Sequence, residues 1–299
     1  MIARTSATRA RSGALVFLLA LVLLLGWALR THDLEVRSLW EDEGWTMLLS
    51  AGPGLGDVVR TMAADQHPPL YFMIFRVWRT LSGETEFAGR YLGVLIGMIA
   101  VAAVFPLGCA LFGARTGLLA ALLLALADLH IDLSQEVRHY SLLATGVVLS
   151  SLFYVRWRRR PGRANRLGYV LATLLLLYTH YLGMYLVLVQ ALHMLLTLRG
   201  RRLAEGIFLL GAVGLGFLPW LPVMVDQNSV RWDNPLYYQN ALPNSAGTFR
   251  LVRTALLGHW YAILGGLALL GTVTLRYPRG ETQMPRLRLR PLWPVLYLA

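Results

Sequence analysis

The run GALVFLLALVLLLGWAL, residues 13–29, decides the fold class of this chain because it carries no charged residue. About 20 apolar residues suffice to cross a bilayer core. A basic segment precedes the run, and residues 30–33 follow without a small-residue cleavage site, which favours an uncleaved transmembrane helix over a signal peptide. The whole chain of 299 residues is 56% hydrophobic and 15% charged, with a mean hydropathy of +0.53. That composition excludes an ordinary soluble domain.

Further apolar runs predict an all-α, polytopic membrane protein with eight to nine transmembrane helices. They lie at residues 88–112, 116–132, 138–157, 166–180, 181–198, 203–225 and 251–275, and a ninth begins near Pro291. We interpret residues 1–299 as a single transmembrane domain. The last run stops after nine residues, so we expect the chain to be a C-terminally truncated piece of a longer protein.

The distribution of charge predicts the orientation in the membrane. The net charge is +12, and all 28 basic residues are arginine, with the dense clusters between apolar runs. If the short, Pro-led segment 68–81 does not cross, the cytoplasmic loops hold 18 of the 28 arginines, as the positive-inside rule requires. Carboxylates and histidines then gather on the opposite face. We expect a membrane protein with a cytoplasmic N-terminus and its chemistry on the outer face.

The first outer loop, residues 31–89, has helical signals of its own. Ser38 followed by Glu41 is a capping-box pattern that predicts a helix start. That helix is expected to end near Gly52, a second to run over 55–64, and the Pro-led segment to form a third, juxtamembrane helix. The single cysteine, Cys109, excludes a disulfide framework and a cysteine-based metal site.

Three consecutive acids, Glu41, Asp42 and Glu43, are the first candidates for chemistry. Acids in the first turn of a helix commonly cap it and complement its dipole, and Glu41 fits that interpretation. Successive helical residues point about 100° apart, so the three cannot share one face and one of them is free to enter a cavity. A Mg²⁺ or Ca²⁺ site built from these acids and Asp65 stays open but is not favoured, because no ligand spacing fixes it.

Basic and aromatic residues near the outer helix ends are the second group of candidates. His67 and Tyr71 stand at a Pro-led helix start, where free N–H groups favour an anion, although this is also an ordinary helix start. Arg90 and Arg138 stand alone at outer helix ends, where contact with a phosphate could offset their burial, although an interfacial ion pair is an equal explanation. Possible substrate-binding residues are Tyr71, Glu136, Tyr140, Tyr237 and Tyr238.

Four motifs, in this order, resemble those of bacterial members of the protein O-mannosyltransferase and lipid A aminoarabinose transferase clan of GT-C glycosyltransferases. They are Trp40-Glu41-Asp42-Glu43, His67-Pro68-Pro69-Leu70-Tyr71, Glu86-Phe87-Ala88-Gly89-Arg90 and Ser134-Gln135-Glu136-Val137-Arg138-His139-Tyr140. The resemblance covers residues 30–142 by motif and the rest by hydropathy. It implies Asp42 as the base with Glu43 beside it, and Arg90, Arg138 and His67 as donor-phosphate ligands. Relatives carry lysine where this chain has His67.

The resemblance implies an inverting transfer of a hexose or pentose from a polyprenyl phosphate to a lipid, glycan or protein acceptor, without a cofactor or nucleic acid. One carboxylate would accept the proton of the acceptor hydroxyl, and cations would stabilise the leaving phosphate. A polyprenyl-linked sugar flippase or transporter and an inactive binding subunit are the alternatives. A transporter would carry polar groups near the middle of the bilayer.

Overall fold

The computed structural model describes residues 2–232, 273–276 and 286–289, with side chains over 13–227. The chain divides into two compact units, Met1–Gln227 and Asn228–Ala299, and each is described by itself. The predicted residues Tyr237 and Tyr238 lie outside the described residues, as does the helix predicted from Pro291. All other candidate residues lie in the first unit.

Helices account for nearly all of the described first unit. They are α1 Ile2–Thr31, α2 Glu41–Leu49, α3 Leu55–Ala63, α4 Leu70–Ser82, α5 Glu86–Phe112, α6 Ala114–Ala125, α7 Asp128–Ser134, α8 Tyr140–Arg159, α9 Arg163–Thr179, α10 Gly183–Thr197, α11 Gly200–Phe217 and α12 Leu221–Trp232, with a 3-10 turn at Leu218–Trp220. The three short helices predicted between 31 and 89 are confirmed as α2, α3 and α4. The predicted helix 116–132 is broken into α6 and α7.

The all-α prediction is confirmed by the helices of the first unit, and the second unit contains two short strands. Strand β1, Val273–Arg276, pairs antiparallel with β2, Arg286–Leu289, and Val273 lies opposite Leu289. The alternation of arginine and leucine in β2 has the period of two that suits a strand. The end of the helix predicted over 251–275 is therefore a strand, and residues 251–272 of that prediction lie outside the described residues.

Three described helices are long and apolar enough to cross a membrane: Gly13–Thr31, Glu86–Phe112 and the continuous segment Gly200–Gln227. The pair α6 and α7, bent by 60° at its break, adds a fourth if it counts as one span. The predicted eight to nine spans are not confirmed. Helix α10 is apolar but only 15 residues long, and α8 ends in three arginines. Large apolar side chains such as Phe17, Phe208 and Leu215 are exposed, as on a lipid-facing surface.

Arg30 at the end of α1 fixes the break between α6 and α7. Its side chain is fully buried and donates to the carbonyls of Leu124 and Ala125, each at 3.0 Å, and to Gly26 at 2.9 Å. The last carbonyls of a helix have no partner inside the helix, so a buried helix end needs donors from elsewhere. Arg30 supplies them and thereby positions α7 and the segment that follows it.

Helix α4 is held by its two arginines and by three aromatic side chains. Arg76 donates to the carbonyl of Gly52 at 2.7 Å, and Arg79 donates to Met47 at 2.7 Å, which satisfies carbonyls at and beyond the end of α2. Tyr71, Phe72 and Phe75 of the same helix are buried in the core with residues of α5, α8, α9 and α11, and the Arg79 guanidinium lies 6.0 Å from the centre of the Phe75 ring. This explains why an otherwise apolar helix carries two charges.

Glycines on α5 let the segment 134–139 lie directly on that helix. A Cβ atom at Gly93 would come within 2.6 Å of the carbonyl oxygen of Ser134 and 3.0 Å of that of Glu136. A Cβ at Gly97 would come within 2.3 Å of the Ser134 hydroxyl. Real Cβ atoms do not approach backbone oxygens this closely, so glycine at Gly93 is needed for this packing.

We expect Gly93→Ala to displace the segment 134–139 and to destabilise the protein by about 1–3 kcal/mol, the usual result of overpacking. Gly211→Ala on α11 is the matched control, since a Cβ there meets nothing within 4 Å. The control should be neutral or raise stability by up to about 1 kcal/mol through helix propensity. Unfolding in mixed micelles measures both variants, and equal stabilities would contradict the packing.

Candidate active site

Glu43 lies at the centre of the site and is 1% exposed. Its carboxylate accepts two bonds from the guanidinium of Arg90, from Nε at 3.0 Å and from Nη2 at 2.8 Å. It also accepts the backbone N–H of Trp40 at 3.2 Å and that of Val137 at 2.9 Å. Bidentate, charge-assisted bonds of this kind are strong and geometrically specific. One carboxylate thus connects the start of α2, α5 and the segment before α8.

The capping residue of α2 differs from the sequence-based prediction. The helix begins at Glu41, and Trp40 is the N-cap. The Glu43 carboxylate accepts a hydrogen bond from the backbone N–H of Trp40. A capping box requires the third helical residue to reach back to the N-cap, and here that residue is Glu43. Glu41 is exposed instead. The pattern of Ser38 and Glu41 therefore misplaced the cap by two residues.

Arg90 is 5% exposed and holds the loop that leads into α2. Besides its two bonds to Glu43, it donates to the carbonyls of Leu34 at 2.9 Å, Arg37 at 2.6 Å and Ser38 at 3.2 Å. A guanidinium has five N–H groups, so all of them have acceptors. All five N–H groups of Arg90 thus bond within the protein, and its predicted contact with the donor phosphate stays a prediction.

Asp42 and Arg138 form a second ion pair, at 3.2 Å between Oδ2 and Nη2. The Asp42 side chain is 40% exposed, whereas that of Arg138 is 8% exposed. Arg138 also donates to the Asp42 carbonyl at 3.3 Å, but its Nε has no hydrogen-bonding partner among the described residues. Its guanidinium lies 5.7 Å from the centre of the Tyr140 ring. The pair therefore combines an accessible carboxylate with a buried cation that retains a free donor.

Glu136 lies beside this pair and is half-buried. Burial raises the pKa of its carboxyl group above the ordinary value, and the negative charges of Glu43, Asp132 and Asp42 raise it further, while Arg138 opposes the shift. Raised carboxyl pKa values are common at functional sites. The site therefore favours the protonated form of Glu136 more than water favours that of an exposed glutamate.

His67 and Tyr71 lie around the start of α4, as predicted. His67 bonds through Nδ1 to Asp65 Oδ2 at 3.0 Å. Tyr71 is fully buried and stacks on Phe75 at 6.1 Å between ring centres, and its hydroxyl has no partner among the described residues. The Tyr71 side chain is therefore a core residue at one end, with its hydroxyl directed at the residues around His139, whose ring lies 6.3 Å away.

Three of the four acids considered as metal ligands lie beside basic residues. Asp42 pairs with Arg138, Glu43 with Arg90, and Asp65 with His67. Sequence reasoning missed a different cluster, in which His67 meets His139 and His180. These three residues are far apart in the chain and share no spacing, so no sequence signal indicated that they meet.

We expect Glu43→Ala to destabilise the protein by about 3–5 kcal/mol, because it leaves the charge of Arg90 buried and unpaired. Arg60→Ala, which breaks an exposed pair with Asp57, is the control and should cost at most about 1 kcal/mol. Unfolding in mixed micelles measures both.

The double variant Glu43→Leu/Arg90→Met tests whether the two side chains stabilise the fold as a pair. Its loss should be smaller than the sum of the two single losses, because no unpaired charge remains. If the losses in unfolding free energy were additive, Glu43 and Arg90 would not interact energetically.

Glu136→Gln should make the protein more stable at pH 7. A carboxyl group with a raised folded-state pKa binds its proton more tightly in the folded state, so its ionisation opposes folding above that pKa. The gain should disappear as the pH falls below the unfolded pKa of about 4.3. Thermal unfolding midpoints at several pH values measure this, with Glu41→Gln as the exposed control. A Glu136→Gln variant that is less stable at pH 7 would refute the pKa shift.

Comparison with known proteins locates the chain in a family. No curated protein matches it, but residues 66–225 match the profile of the family described as dolichyl-phosphate-mannose-protein mannosyltransferase. The match covers more than half of the chain and includes His67, Arg90 and Arg138, whereas Asp42 and Glu43 precede it. With the apolar helices, it identifies a membrane glycosyltransferase. The chain belongs to the dolichyl-phosphate-mannose-protein mannosyltransferase family of GT-C-type glycosyltransferases.

Proposed function

We propose that the protein transfers a sugar from a polyprenyl-phosphate donor to an acceptor hydroxyl on the outer face of a bacterial cytoplasmic membrane, with inversion at the anomeric carbon. The observation that carries this proposal is the pair of Asp42 and Arg138. It places a solvent-accessible carboxylate 3.2 Å from a buried guanidinium. A base and a phosphate ligand are the two groups that such a transfer needs.

The chemistry follows from these two side chains. The Asp42 carboxylate accepts the proton of the acceptor hydroxyl as the hydroxyl oxygen attacks the anomeric carbon. The bond between that carbon and the phosphate oxygen breaks, and its electron pair leaves with the polyprenyl phosphate. The phosphate gains one negative charge, and Arg138, with its free Nε, stabilises it. A single displacement inverts the configuration.

Glu43 and Arg90 serve this reaction by positioning rather than by contact with the substrate. They hold the first turn of α2, which includes Asp42, and the backbone N–H of Val137, the residue before Arg138. His67, just before α4, is the second proposed contact for the donor phosphate. Glu136 and Tyr140, next to Arg138 in sequence, are the candidate sugar contacts.

The position of the arginines along α8 supports the outer face. Arg138 precedes the first residue of this 20-residue helix, whereas Arg156, Arg158 and Arg159 lie in its last turn. A helix of that length extends about 30 Å, close to the thickness of the bilayer core. If the arginine cluster is cytoplasmic, as the positive-inside rule favours, Arg138 and Asp42 lie at the outer surface.

Asp42→Asn should reduce transfer by at least about 10²-fold, the usual contribution of a general base. The assay follows release of polyprenyl phosphate from a radiolabelled polyprenyl-phosphate sugar in proteoliposomes. Glu41→Gln is the matched control, since Glu41 is the exposed neighbour in the same helical turn. Full activity of Asp42→Asn would refute the proposed base.

A transporter of lipid-linked sugars is the second candidate, and one observation favours it. A buried polar cluster lies halfway along α8, α9 and α10, where Ser150 bonds to Thr173 at 2.9 Å and to Gln190 at 3.1 Å, and Gln190 accepts from Tyr169 at 2.8 Å. Such contacts also hold membrane helices together. The same proteoliposome assay separates the two functions, because a transporter would move the donor without releasing the phosphate.

A further inference from the structure

Three histidines from separate parts of the chain meet beside Arg138. His67 precedes α4, His139 is the N-cap of α8, and His180 is the C-cap of α9. The ring centre of His139 lies 4.8 Å from that of His67 and 4.9 Å from that of His180. The ring centres of His67 and His180 are 5.6 Å apart. One ring nitrogen of each lies within 4.8 Å of the others. This is the one group of three or more potential metal ligands within residues 13–227.

His139 is the observation that points to a ligand. Its side chain is fully buried, and neither of its ring nitrogens has a hydrogen-bonding partner among the described residues. Leaving a buried polar group without a partner is costly, and such groups in native proteins call for a bound species. The three ring centres form a triangle with sides of 4.8, 4.9 and 5.6 Å, so a species that binds all three rings would satisfy His139.

Asp65 holds His67 in the tautomer that suits a metal ligand. The bond between His67 Nδ1 and Asp65 Oδ2, at 3.0 Å, places the ring proton on Nδ1 and leaves the lone pair of Nε2 free. Metal-binding histidines almost always carry such a partner, which fixes the tautomer and raises the basicity of the ligand nitrogen. The acid and histidine are two residues apart, so the pairing is local.

His180 requires a change of tautomer. Its Nδ1 accepts the backbone N–H of Leu182 at 3.0 Å, a bond that is exposed. Water can replace the imidazole as the acceptor of that N–H at little cost, since exposed hydrogen bonds exchange with solvent. The ring proton then moves to Nδ1, and Nε2 carries the lone pair that a metal ion would share.

We propose that His67, His139 and His180 bind one divalent transition-metal ion of the Zn²⁺ class, with Asp65 as the partner of His67. Three imidazole nitrogens suit Zn²⁺ and its first-row neighbours, whereas Mg²⁺ and Ca²⁺ prefer oxygen ligands. Zn–N bonds of about 2.0–2.1 Å in a tetrahedron place the nitrogens about 3.4 Å apart, so the rings must approach by roughly 1 Å. Three protein ligands leave a fourth position for water.

The binding test uses purified protein in detergent, with any polyhistidine tag removed and with bound metal stripped by a chelator. Zn²⁺ is then added by equilibrium dialysis and counted by mass spectrometry. We expect about one ion per chain in the wild type, and its loss in His67→Ala and His180→Ala. Asp65→Asn should weaken Zn²⁺ affinity by about 10–100-fold, as removal of a ligand's partner does. His32→Ala is the matched control, because His32 is an exposed histidine outside the cluster.

A second measurement covers variants that fold poorly. Zn²⁺ should raise the thermal unfolding midpoint of the wild type and of His32→Ala, but not that of His180→Ala, because a ligand stabilises only the state that binds it. His180 is only partly buried, so its substitution leaves the core intact. Equal Zn²⁺ stoichiometry in the wild type and both histidine variants, or no binding by the wild type, would overturn the proposal. Neither measurement depends on glycosyl transfer.

Discussion

The buried pair of Glu43 and Arg90 is the interaction on which the rest of the site depends. The carboxylate accepts four N–H groups and the guanidinium donates five, so both charges are fully compensated although they are removed from solvent. Removing either partner would leave a buried charge, which is far more costly than losing a surface bond. The pair joins α2, the loop before it, α5 and Val137. Asp42 and Arg138 are the immediate sequence neighbours of two of these points.

The three consecutive acids divide their roles by helical geometry. Successive residues turn by about 100°, so Glu41 points to solvent, Asp42 to the edge of the site and Glu43 into the protein. The contact of Asp42 with Arg138 joins a part of the chain that matches the family profile to a part that precedes the match. Arg138 lies within the family match and Asp42 before it, so their distance of 3.2 Å extends the site beyond the matched residues.

Much of the helical framework could be predicted from the sequence, because apolar runs and Pro-led or capped starts are local signals. The helices predicted over 88–112, 138–157, 166–180 and 181–198 agree with α5, α8, α9 and α10 within three residues at each end. The break between α6 and α7 could not be predicted, since it depends on donors from Arg30, some 95 residues earlier in the chain. The number of membrane spans also stays a prediction, because length and hydropathy show only that three or four described helices could cross a membrane.

The sequence by itself determined the class of protein, the short helices of the first loop and the cluster of acids at residues 41–43, because these follow from composition and from spacing within one or two helical turns. The tertiary structure decided which acid is buried, which arginine has all its N–H groups bonded within the protein, and that His67, His139 and His180 meet. Those outcomes depend on burial and on contacts between residues tens of positions apart. No local pattern encodes them, since the free energy of a charge or a ring nitrogen is set by the partners that folding brings to it.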